Sequence, residues 1–249
     1  MKKILICALC ALCGWTSAAA SDTLTVRIEG MHCAHCAHKV RTLLKKDAGI
    51  SAVTINHERR TATIAYNPVM ISTDTIYARL EATKRYKAQP YSKSDVISRE
   101  LNLRIDDMHC KKCSDRITGR VSTMEGVDSL KPHLAKHYMS IHYDANKNSR
   151  DSIRTVITRM GYTPVSYYDS EKVGYAYFII PAEAATQETI DNIQAMDAVN
   201  DVNVNARRGA LAVTYLCEKT TPEQLLADIQ KAGIKATVPA PHECKEEGK

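Results

Sequence analysis

Apolar and polar residues alternate along Thr23–Glu29, the pattern of a half-buried strand. From about Ala34 to Lys46 the spacing changes, and Val40, Leu43 and Leu44 recur on one face of a predicted helix. Two further β-like runs, Ile50–Asn56 and Arg60–Tyr66, are joined by a turn around His57 and Glu58. A second helix is predicted over Thr73–Thr83, with Ile76, Tyr77 and Leu80 inward, and Tyr86–Tyr91 reads as a short last strand. The order is βαββαβ.

The pattern recurs. At a shift of 77, Cys33 falls on Cys110, Val40 on Ile117, Ile50 on Val127, Ile64 on Ile141, Tyr66 on Tyr143 and Ile76 on Ile153. At a shift of about 149–150, Val40 falls on Ile190, Val53 on Val202, Ile64 on Val213, Tyr66 on Tyr215 and Leu80 on Ile229. Agreement across several elements is stronger evidence of repetition than one matching motif. The predicted fold class is α+β: three tandem ferredoxin-like βαββαβ sandwiches, each an antiparallel sheet with two helices on one face. Their expected bounds are 23–91, 100–168 and 173–238, with polar linkers between them and a polar tail over 239–249. Modules of this size bury a small core, not a large one.

Residues 1–20 read as a signal peptide. Lys2 and Lys3 precede an apolar run from Ile4 to Leu12, and Ala18, Ala19 and Ala20 precede Ser21. The run is about half the length that spans a bilayer, so an uncleaved anchor is the weaker reading. The expected location is outside the cytoplasm, in a periplasm, with membrane contact only through this leader. Its removal leaves six of nine cysteines and lowers the net charge from +6 to +4. The basic residues are scattered, and one Phe and one Trp leave no aromatic-basic interleaving, so no nucleic-acid partner is expected. In an oxidising compartment, closely spaced thiols also risk pairing as disulfides.

The candidate chemistry lies in a doubled motif. Residues 30–36 read GMHCAHC and residues 107–113 read DMHCKKC, each following a predicted strand and entering a predicted helix. The unpaired N–H groups and partial positive charge of a helix start stabilise thiolate, the form that binds metal. Soft thiolates select Cu(I) and, less strongly, zinc. A structural zinc ion wants about four ligands, and one C-x-x-C supplies two. The candidate metal ligands are Cys33, Cys36, Cys110 and Cys113; no catalytic residue is assigned, and the chain is not read as an enzyme.

Copies one and two resemble the heavy-metal-associated domains of copper chaperones, periplasmic mercury-binding proteins and the N-terminal modules of heavy-metal P-type ATPases. The family signature, G-M-x-C-x-x-C, is matched fully by 30–36; residues 107–113 depart at Asp107. The resemblance implies capture and transfer or sequestration of a soft ion, with Cu(I) first and Hg(II) or Zn(II) as alternatives. Zinc-selective relatives often carry aspartate directly before the first cysteine, where this chain has His32 and His109. A metal-transporting ATPase or another metal-transfer protein is the implied partner. A thiol-disulfide oxidoreductase is the competing reading, since it also uses C-x-x-C; a pure interaction array is a third.

The resemblance also colours the neighbours. Met31 and Met108 are expected to pack beneath the loops rather than ligate. His35 is a third ligand, a modulator or a bystander. Tyr86 and Tyr162 sit either beside the metal loop or in plain strand packing. His133, His137 and His142 are read as surface residues before a second metal patch. In the third copy Cys33 falls on Glu183, Cys36 on Thr186, and Ile234 replaces the tyrosine, so this copy is expected to carry no metal site. Cys217 is expected to be buried, with Cys244 as a disulfide partner or a tail ligand. Gly30 and the differing loop residues predict unequal sites, the first filling before the second.

Overall fold

The computed structural model describes residues 21–31 and 34–240. The predicted leader, Cys33, and the tail residues His242 and Cys244 lie outside the described residues. The chain forms two compact units divided between Ser92 and Lys93.

In the first unit the elements are β1 (Asp22–Glu29), α1 (Ala34–Leu44), β2 (Ile50–Asn56), β3 (Thr61–Tyr66), α2 (Thr73–Glu81) and β4 (Lys87–Pro90). The sheet order is β2-β3-β1-β4, antiparallel at every pairing. Alternation sends Val26 and Ile28 of β1 and Ile64 of β3 inward, where they meet Val40 and Leu44 of α1 and Ile76 and Leu80 of α2, all fully buried. Each such side chain contributes about 1.5–3 kcal/mol by leaving water. Ser72 starts α2 by accepting the Thr75 N–H, satisfying one otherwise open donor.

Gly30 ends β1 with φ +85, and a Cβ there would stand 2.3 Å from the Arg85 carbonyl oxygen. Gly30→Ala is therefore expected to lower the stability of this unit by at least about 1–2 kcal/mol, the cost of a left-handed L-residue before any clash is relieved. Thermal unfolding followed by circular dichroism checks this; an unshifted transition would contradict it.

The second unit contains two modules. The first comprises β5 (Ser98–Arg104), α3 (Lys111–Val121), β6 (Val127–His133), β7 (Tyr138–Asp144), α4 (Arg150–Arg159) and β8 (Val165–Ser166), with sheet order β6-β7-β5-β8. The second comprises β9 (Val173–Ile179), α5 (Gln187–Gln194), β10 (Val199–Asn205), β11 (Ala210–Leu216) and α6 (Pro222–Lys231). Its sheet has three strands, β10-β11-β9. The expected fourth strand is reduced to one bridge, Ile179 with Thr237. Pro239, two residues on, has no N–H to extend the ladder.

One hydrogen bond aligns all three modules. The N–H of Ile28, Ile105 and Ile180 donates to the carbonyl of Arg60, His137 and Gly209, each at 2.7 Å. The three acceptors all hold positive φ, at 55°, 49° and 58°. The helix caps Cys110 and Thr186 correspond, five and six residues after the aligned Ile105 and Ile180, so Thr186 and Thr189 stand where the second module has its thiols. Glu183, the sequence counterpart of Cys33, instead lies in the short helical turn Ala182–Ala184 that precedes the cap.

The outer face of the third sheet is covered. Asp201, Asn203 and Asn205 of β10 look solvent-facing by alternation but are buried, as are Ala210, Ala212 and Thr214 of β11. They pack on the second module. Arg154 of α4 donates to both Asp201 carboxylate oxygens at 2.8 and 3.0 Å and to the Val202 carbonyl at 2.6 Å. Asp201 also accepts from the Ser166 N–H and hydroxyl, while Thr214 donates to the Ser166 carbonyl. Asn203 donates to the Pro164 carbonyl, and Asn205 to those of Thr158 and Tyr162. Cys217, expected to be buried, is exposed. β11 stops at Leu216, so the inward series of Leu211, Val213 and Tyr215 ends before it reaches the cysteine.

Candidate metal centres

In the first module β1 ends at Glu29 and α1 begins at Ala34. Cys36 lies in the first turn, 2% exposed, and the Arg85 guanidinium donates to its Sγ at 3.5 Å. Arg85 also lies over the Tyr86 ring, 5.7 Å from its centroid. Met31 is fully buried in the core cluster of its module. His35 is exposed. Cys33 is outside the described residues, so the geometry of this pair rests on Cys36.

The second loop is described in full. Cys110 is the N-cap of α3 with an extended backbone, and Cys113 lies in the first turn. Their sulfurs are 3.4 Å apart as free thiols. Metal–thiolate bonds of ~2.3 Å span up to ~4.6 Å from sulfur to sulfur, so one ion between them requires an opening of roughly 1 Å. The Cys113 backbone N–H, followed by the Cys113 thiol, holds the Cys110 thiol below its ordinary range, with Lys112 adding to the effect. Both lysines between the cysteines are exposed. Lys111 pairs with Asp115 one turn on at 2.6 Å; exposed pairs of this kind contribute little to stability.

Three side chains fix this loop from behind. Met108 is fully buried. Tyr162 is 1% exposed, and its hydroxyl has no hydrogen-bond partner at bonding distance. Burial first, and the neighbouring Cys113 thiol second, push its pKa up to about 12. His137 brings Nδ1 to 3.3 Å from the Met108 carbonyl and meets the His109 ring edge-on at 6.0 Å. Of the three histidines read as surface residues, His142 is exposed, His133 stacks on Tyr138, and His137 is a loop clamp. It holds a positive φ at the β6–β7 turn, which alternation along the sequence does not reveal.

Asp107 replaces the glycine by a different construction. It does not take the left-handed backbone of Gly30. Its buried carboxylate instead accepts the Thr163 N–H and hydroxyl, both at 3.2 Å. The β5–β8 ladder is correspondingly short, with two residue pairs where β1–β4 has four. Burial outweighs these bonds and the nearby Arg208, and pushes the Asp107 pKa up to about 6. A carboxyl raised in the folded state favours folding when protonated, so its contribution is fullest below about pH 4 and is lost as pH rises through about 6. Asp107→Asn is expected to flatten thermal midpoint against pH between 4 and 6. An unchanged slope would contradict this.

Among the described residues, no group of three or more His, Cys, Asp or Glu side chains is arranged around a common ion position. The thiol pair and its open face are what the second loop offers a metal. No described helix is long and apolar enough to cross a membrane.

Residues 25–86 and 102–163 each match the model of the heavy-metal-associated domain. Both matches carry a C-x-x-C loop, and neither extends into the third module. A copper-exporting P-type ATPase of Bacillus subtilis is 23% identical over 56% of this chain and 16% of its own length. A copper-exporting P-type ATPase of Staphylococcus saprophyticus is 30% identical over 55% of this chain and 16% of its own. A probable copper-transporting ATPase of Arabidopsis thaliana is 25% identical over 85% of this chain and 22% of its own. The chain thus spans about a fifth of the length of the curated relatives it matches. Among solved structures, the N-terminal soluble domains of CopA from Bacillus subtilis are 22% identical, covering 61% of this chain and 98% of that one at a TM-score of 0.28. Oxidized MerP from Ralstonia metallidurans is 25% identical, covering 29% of this chain and 100% of that one, also at 0.28.

Proposed function

We propose that the chain is an exported, non-enzymatic carrier that binds a soft thiophilic ion at each of two C-x-x-C loops, with Cu(I) the preferred cargo. The observation that carries this reading is the Cys110–Cys113 pair: two free thiols 3.4 Å apart at a helix start. The two domain matches support metal binding as such. Relatives described as copper-exporting and copper-transporting ATPases support copper in particular. Mercury stays within the reading, because soft thiolates do not distinguish the two ions strongly.

The exchange chemistry follows from the loop. The helix start and the Cys113 N–H stabilise charge on Cys110 without a proton, so an incoming ion displaces little. Cu(I) held by two thiolates keeps a free direction of approach on the open side. A thiolate from a partner can bond there first, after which one loop thiolate leaves; no electron is transferred. A metal-transporting ATPase or another metal-transfer protein is the partner this suits. Capture outside the cytoplasm follows from the predicted leader over residues 1–20.

The testing experiment is competition on the reduced chain, with Cu(I), Hg(II) and Zn(II) titrated without oxygen against a chelator. Cu(I) is expected to bind orders of magnitude more tightly than Zn(II), which two thiolates leave short of ligands. Tighter Zn(II) than Cu(I) binding would overturn the copper assignment. Steady turnover of a disulfide substrate would favour the oxidoreductase reading instead.

A further inference from the structure

The two modules also differ in the residue that stands before the loop tyrosine. In the first module the residue before the loop tyrosine is Arg85, whose guanidinium reaches Cys36 and covers Tyr86. In the second module the residue before Tyr162 is Gly161, at φ +100. It carries no side chain. The space is used by another module: Arg208, from the β10–β11 turn of the third, brings its Nε to 3.7 Å from where a Gly161 Cβ would stand. Its guanidinium lies over the Tyr162 ring at 5.5 Å, close to the 5.7 Å of Arg85 over Tyr86.

We propose that the third module completes the second metal centre, with Arg208 a positioning residue that covers Tyr162, the neighbour of Cys113, as Arg85 covers Tyr86. This rests on the reading of Cys110 and Cys113 as a metal site.

Independent contacts hold Arg208 in register. Asn205, the last residue of β10, donates to the carbonyls of Thr158 and Tyr162 at 2.9 Å each. Arg207 donates to the Arg159 carbonyl at 3.0 Å. The segment bearing Tyr162 is thereby tied to β10 on both sides of Gly161. Arg116 of α3 lies over the same ring, at 5.8 Å, so Tyr162 carries a cation from its own module and one from the next. Arg208 also lines a cavity of about 600 Å³ with Asp106, Asp107 and His109, which lead into the metal loop. The third module carries no C-x-x-C, and its β10–β11 turn reaches its neighbour. That accounts for its sheet, whose outer face is polar yet buried.

The test uses the full chain with Cys33→Ser and Cys36→Ser, so that only the second centre reports. Cu(I) affinity is measured by chelator competition for this parent, for Arg208→Gln and for Arg208→Lys, with thermal unfolding alongside. Arg208 is exposed, so neither variant is expected to disturb folding. Arg208→Gln is expected to weaken binding roughly threefold to tenfold, the scale of one cation over an aromatic face, and Arg208→Lys to recover most of it. Unchanged affinity in Arg208→Gln overturns the inference alone. Equal loss in both variants with a lowered unfolding midpoint also overturns it, since that marks a structural role only. A parent that binds no Cu(I) overturns the metal reading and this inference with it.

Discussion

Replacing Cys110 and Cys113 together by serine is expected to leave a chain that holds one Cu(I) ion in place of two, with the second unit still folded. A serine hydroxyl stays protonated at neutral pH and is a hard oxygen donor, so a Cu(I) site loses both of its bonds. The affinity lost at that loop is expected to exceed about a thousandfold, more than 4 kcal/mol. Folding is spared because both sulfurs are only partly buried. The corresponding exchange at Cys36 differs: Cys36 is 2% exposed in the core cluster of its module, and a hydroxyl there costs about 1–3 kcal/mol where it finds no partner. Metal content by elemental analysis and unfolding by circular dichroism separate the two effects. A Cys110/Cys113 variant that keeps two ions would refute the assignment of that loop.

The second large effect is structural. Asp201→Ala should destabilise the second unit by about 3–5 kcal/mol, the cost of breaking a buried ion pair and leaving one partner unpaired. The Asp201 side chain is 12% exposed and that of Arg154 16%. Burial works to raise the Asp201 pKa, but Arg154 and the Ser166 donors outweigh it and leave it below the ordinary range. Its contribution is thus present above about pH 4 and is lost as pH falls further, the reverse of Asp107. Urea unfolding of the chain at pH 7 measures this. A midpoint equal to that of the unaltered chain would mean that the β10 contact to α4 contributes nothing.

The fold was legible because period and repeat agreed. Strands alternating around Val26 and Ile28, and helices striped by Val40, Ile76 and their counterparts, lead to one sandwich. The missing last strand of the third module was not legible, because it turns on Pro239 falling where a ladder donor is needed. The buried polar face of β10 was not legible either. Asp201, Asn203 and Asn205 alternate like solvent residues, and only a neighbouring module with donors and carbonyls at matching heights makes burial tolerable. At the sites, the cysteines, Met31, Met108 and the tyrosines follow from spacing and resemblance. Arg85, His137 and Arg208 do not. Each reaches the loop from a distant turn, and Arg208 from another module, where no local pattern points to it.

The central claim, that each C-x-x-C loop holds one thiophilic ion, is tested most directly by titrating the fully reduced chain with Cu(I) without oxygen beside the variant carrying serine at Cys33, Cys36, Cys110 and Cys113. The account predicts saturation at two ions for the unaltered chain and none for the variant. Two ions retained by the variant, or none taken up by the unaltered chain, would contradict it.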